Sequence, residues 1–147
     1  MHGLLLFLHL AGVVVWIGGM SFAILCLHPS LAVLAGKDRV ALMAGTLGRF
    51  LRLVMVALVL IWASGAGLVA GSAMERLPLG WHMMIGIGFV MTLVFAYLFI
   101  ALFRPAQLAL AAGDTAAVAS LLGRIRVLVI VNLILGTGAI AAVTLVG

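Results

Sequence analysis

Acidic residues are nearly missing from this chain. Three of its 147 residues are Asp or Glu, charged residues of both signs make up 7%, and cysteine occurs once. Asp38, Glu75 and Asp114 all fall between long apolar stretches. A proton relay of the usual Asp/Glu kind inside a membrane therefore has no residues to run on. Cys26 stands alone, which excludes an intrachain disulfide and a thiolate cluster for zinc or iron–sulfur; it reads as a small buried apolar residue. No nucleophile–base constellation and no Gly-Lys-Ser/Thr phosphate loop occurs, so hydrolase and nucleotide chemistry are set aside.

What is present is apolar. Hydrophobic residues make up 67% of the chain. A soluble domain of this size cannot hide so much apolar surface, whereas lipid can act as its solvent. Four apolar stretches, roughly 3–27, 50–72, 81–103 and 125–146, each reach the ~20 residues needed to cross a hydrocarbon core of ~30 Å. The expectation is an all-α membrane protein of four transmembrane helices, a single domain over 1–147. The first stretch is expected to stay in place, because its start, Met1-His2-Gly3, lacks the basic n-region of a signal peptide and its apolar run is too long for one.

The net charge of +5 follows topology and is not a nucleic-acid signal. Lys37, Arg39, Arg49 and Arg52 lie between stretches 1 and 2, and Arg104, Arg124 and Arg126 flank the connection between 3 and 4. Arg76 is the single basic residue between stretches 2 and 3. This bias predicts cytoplasmic basic connections and both termini outside. The same connections also suit anionic lipid headgroups.

The chain resembles itself. An offset of 73 residues carries His9 onto His82, Trp16 onto Phe89, and Ser64-Gly65 onto Thr137-Gly138. With small insertions, Pro29, Gly36 and Leu47-Gly48-Arg49 match Pro105, Gly113 and Leu122-Gly123-Arg124 in the same order. Two tandem helical hairpins, repeat 1 about 1–72 and repeat 2 about 73–147, predict a pseudo-twofold along the membrane normal. His9 and His82 are then expected at similar depth near the outer face, in position to approach one ligand.

The residues around them suit a flat ligand. His9, Gly12, Trp16 and Gly19 share one face of the first helix; His82, Gly86, Phe89 and Leu93 form the matching face of the third. Bis-imidazole ligation of a b-type haem is the leading reading, with Ser64 and Thr137 as hydrogen-bond partners of the imidazoles and Asn132 facing a neighbouring helix or the cofactor. Copper is the alternative: His2, His9, Met74, His82, Met83 and Met84 gather near the outer face, and imidazole with thioether suits Cu(I). The plainer readings also stand. Small residues, as in Gly67-xxx-Gly71, let membrane helices pack closely, and the histidines can simply bond backbone carbonyls.

The segment His9-Leu-Ala-Gly-Val-Val-Val-Trp16-Ile-Gly18-Gly19 resembles the first helix of CopD-type copper-resistance membrane domains. The run from Arg126 to Gly136, with Asn132-Leu-Ile-Leu-Gly136, is similar to short stand-alone members, and the likeness extends over nearly the whole chain. The resemblance implies copper handling at the bacterial inner membrane. More distantly the chain is similar to HemJ-type protoporphyrinogen oxidases, which implies a haem on the helix-1 histidine, here His9. That family also uses an arginine late in helix 1 and a lysine early in helix 3; apolar residues stand there, around Leu25 and Met84. The departure points away from protoporphyrinogen oxidation and frees His82 to act as second axial ligand. The expected function is a haem b held by His9 and His82 near the periplasmic side, exchanging electrons with a quinol or a periplasmic redox protein. A homodimer is compatible with the small residues on helices 2 and 4.

Overall fold

Each apolar stretch forms a helix longer than the stretch itself. The computed structural model describes residues 1–70 and 76–146, and the long elements there are α1 (His2–Val33), α2 (Gly36–Val69), α3 (Leu79–Ala111) and α4 (Thr115–Leu145). All four are long and apolar enough to cross a membrane. Met74, Glu75 and Gly71 lie outside the described residues.

The 34 residues of α2 run for about 51 Å at 1.5 Å per residue, against a hydrocarbon core of about 30 Å. The surplus lies in the N-terminal halves of α2 and α4, which carry Lys37, Arg39, Arg49 and Arg52, and Arg124 and Arg126. The basic residues expected in connections are thus helical, and the connections shrink to residues 34–35 and 112–114. Local chemistry explains the early start of α4. Gly113 adopts φ 75°, the left-handed conformation that turns the chain. Asp114 then accepts a hydrogen bond from the Ala117 N–H at 2.9 Å and caps the new helix.

Two prolines shape α1 and α3 in the same way. Each helix widens into a π segment, Ala23–Leu27 and Leu98–Phe103, just before Pro29 and Pro105. Proline offers no N–H to the carbonyl four residues back and its ring crowds that carbonyl. The wider turn relieves this: the His28 N–H reaches the carbonyl of Ala23, and the Arg104 N–H that of Phe99, each five residues back.

Packing is closest within hairpins, α1 on α2 and α3 on α4, and α4 also touches α1 and α2. Glycines set the α1–α2 seam. A Cβ on Gly12 would lie 2.7 Å from Ile61 Cγ1 and 3.0 Å from the Ala57 carbonyl; one on Gly67 would lie 2.9 Å from Leu5 Cδ1; one on Gly19 would overlap the Phe50 ring. The halves meet over a core of Trp16, Met20, Leu51, Val54, Phe95 and Leu98. Trp16 stands edge-on to Phe95, with ring centroids 6.4 Å apart. Only 17–22% of each apolar window is buried in the bundle, so the remaining apolar surface suits contact with a lipid bilayer.

Candidate functional site

The two histidines occupy different settings. His9 lies two turns into α1, half-buried against α2. Its Nδ1 is 3.0 Å from the Ile61 carbonyl and 3.4 Å from Ser64 Oγ. Gly65 makes room for the ring, since a Cβ there would come within 3.2 Å of His9 Cε1. Ser64 is itself buried, and its hydroxyl donates mainly to the carbonyl of Leu60 one turn back. Ser64 thus lies at a long distance from His9, with the Ile61 carbonyl as the closer partner.

His82 sits in the first turn of α3, exposed, with Nδ1 3.2 Å from the Pro78 carbonyl of its own helix. Thr137, the counterpart of Ser64, is exposed and donates to the Leu133 carbonyl of its own helix at 2.9 Å. The histidine–hydroxyl pair is made in the first half and has no equivalent in the second.

The two faces also point differently. Gly12 and Trp16 are buried, one in the seam with α2 and the other in the core. On α3, Gly86 has open space around it, and Phe89 and Leu93 are 56% and 55% exposed. The His82–Gly86–Phe89 face looks out of the bundle while the His9–Gly12–Trp16 face looks in. His2 and Met83 are exposed and Met84 is half-buried. Among the described residues, no three His, Cys, Asp or Glu side chains gather around a point that could hold a metal ion.

Asn132 is buried in α4, and its Nδ2 donates to the Met91 carbonyl of α3 at 3.2 Å. Its Oδ1 is buried without a partner. The amide borders a small gap shared with Trp16 and Phe95, of about 10 Å³, room for one water at most. Below the histidines the halves are closed: a Cβ on Gly136 would lie 2.9 Å from Ile17 Cδ1 and 3.1 Å from Met91 Cε. Sequence reasoning missed one polar tie between the halves, Trp62 Nε1–H donating to Thr92 Oγ1 at 3.1 Å. An indole and a hydroxyl in separate spans carry no spacing signal that would pair them.

A haem fits this arrangement in its donor chemistry and not in its space. Each imidazole has Nδ1 against a backbone carbonyl, which leaves Nε2 available to a ligand, the arrangement that metal-bound histidines use. The level of Trp16, Ile17, Met91 and Gly136 offers no slot for a macrocycle. No protein-family model, no curated protein and no solved structure matches the chain.

Proposed function

We propose that the chain is a multi-pass protein of the bacterial inner membrane, both termini periplasmic, that binds a b-type haem through His9 and His82 and serves in membrane electron transfer. The observation that carries the reading is the shared tethering of both imidazoles through Nδ1, with Nε2 left for a ligand. The matched π segments before Pro29 and Pro105 support the two-hairpin repeat on which the pairing of the histidines rests. The resemblance to CopD-type domains points to the same membrane.

Haem held there would supply one-electron transfer. The Ile61 carbonyl would fix the tautomer and ring plane of His9, and Gly65 would keep the ring close to α2. Because the His82 face looks outward, a common site requires α3 to turn about its axis, or a second copy to meet that face. Copper is the second reading, favoured by Met83, which is exposed beside His82.

The test is a reduced-minus-oxidised visible spectrum of the detergent-purified protein, with metal analysis of the same sample. The haem reading expects a Soret band, a sharp reduced α band and about one iron per chain, with the band shifted or lost in His9→Ala and in His82→Ala. A featureless spectrum with histidine-dependent copper reverses the ranking. A featureless, metal-free protein after haem supplementation removes both readings.

A further inference from the structure

We propose that a cleft at the basic end of the bundle holds an anionic glycerophospholipid, its phosphate on Arg39 and Arg126 and an acyl chain along the apolar wall. The cleft, about 530 Å³, lies between the last turns of α1, the first turns of α2, and α4. That volume is in the range of small-molecule pockets. Its wall is apolar, with Ile24, Met43 and Ile130 among the lining side chains, and its polar groups include the two guanidinium groups and His28.

No carboxylate lines the cleft. Of the two described acidic residues, Asp114 is committed to its helix cap, and Asp38, exposed in the first turn of α2 beside Arg39, does not line the cleft. Two arginines at the rim of an apolar cleft with no counter-ion in it attract an anion, and the guanidinium fork suits phosphate oxygens. A free phosphate would leave the apolar wall uncovered, so an anionic amphiphile matches both parts. Arg126 lies where the apolar part of α4 begins, which puts it at headgroup depth in a membrane.

The opening has a cause in the sequence. At the repeat-related place, where α3 meets α2, Phe103 covers the glycine of Leu47-Gly48-Arg49; a Cβ on Gly48 would lie 3.1 Å from its ring. The corresponding residue before Pro29 is Leu27, and Gly123, the counterpart of Gly48, lines the cleft with nothing within 4 Å of a built Cβ. The glycine of α2 is covered by a phenyl ring and the matching glycine of α4 is left open.

Native mass spectrometry of the full chain, released from detergent with phosphatidylglycerol or phosphatidylcholine of equal acyl length, tests the assignment. Phosphatidylglycerol is expected to be retained preferentially. Arg39→Gln and Arg126→Gln should each lower its retention roughly fivefold, and about 25-fold together. Gly123→Leu should abolish retention by filling the cleft with every charge kept, at an unchanged melting temperature. Equal retention of the two lipids overturns the proposal, as does full retention in Gly123→Leu. Displacement of phosphatidylglycerol by millimolar inorganic phosphate would reassign the site to a free anion, and a dimer that the double variant dissolves would reassign it to a second copy. If Gly123→Leu does not fold, the double arginine variant decides alone.

Discussion

Replacing Gly12 and Gly86 by alanine separates two glycines that each stand about one turn beyond a histidine, His9 on α1 and His82 on α3. A Cβ on Gly12 meets Ile61 Cγ1 at 2.7 Å and the Ala57 carbonyl at 3.0 Å. Optimal carbon–carbon contact is about 3.5–4.0 Å, so the overlap with Ile61 approaches 1 Å. The isoleucine can turn, but the carbonyl belongs to the α2 backbone. Relief therefore requires the α1–α2 seam to part, which loosens Leu5 on Gly67 and His9 on Gly65 as well. Overpacking of this kind costs about 1–3 kcal/mol. At Gly86 a Cβ meets nothing within 4 Å, and the substitution removes a glycine from a helix, a gain of roughly 0.5–1 kcal/mol. The same helix gain applies at Gly12, which is also mid-helix, so the two variants should differ by the overpacking cost alone, about 1–3 kcal/mol, with Gly12→Ala the less stable. Unfolding in mixed micelles with increasing dodecyl sulfate, followed by helix content, reads the difference. If Gly86→Ala destabilised as much as Gly12→Ala, the outward face of α3 would have to be packed against something, and the asymmetry between the two faces would be refuted.

Three further outcomes follow from single contacts. Asn132→Leu loses the bond to the Met91 carbonyl but also removes a buried oxygen with no partner. In-membrane hydrogen bonds average about 0.6 kcal/mol and an unsatisfied buried group costs about 1–3 kcal/mol, so the same micelle titration should find this variant at least as stable as the parent. Asp114→Ala removes the cap on Ala117 and should cost about 1 kcal/mol, whereas Asp114→Asn should keep most of it. His9→Ala should cost about 1 kcal/mol in the ligand-free protein and His82→Ala close to nothing, because only His9 ties two helices together. Equal losses for the two histidines would contradict that difference in their settings.

The number of long apolar helices was legible because length and apolarity decide it, and both are local properties. The helix ends were not. Lys37 to Arg52 read as a basic connection since hydropathy falls there, yet a helix continues wherever its backbone bonds are satisfied, and charged residues are good helix formers. That His9 and Ser64 lie toward the same end was legible from their positions in adjacent apolar stretches, and the two side chains come within 3.4 Å. The Trp62–Thr92 tie was not, since each residue has many equivalent neighbours by spacing alone.

Rotation of the helices about their axes escaped the sequence for a physical reason. In a soluble bundle an apolar stripe tells which face is inside. α1 and α3 are apolar on all sides, so that signal is absent, and the burden falls on small residues and on polar groups that need partners. Gly12 and His9 supply such a signal for α1: the glycine admits α2 closely, and the imidazole finds the Ile61 carbonyl there. On α3 the corresponding imidazole satisfies itself on Pro78 within its own turn, so nothing draws that face inward. Its place in the core is taken by Met91 and Phe95, which meet Asn132 and Trp16. A sequence repeat therefore fixes which residues correspond without fixing which way they face. The His9 imidazole is therefore tied to α2 through the Ile61 carbonyl, while the His82 imidazole is tied only to its own turn through Pro78.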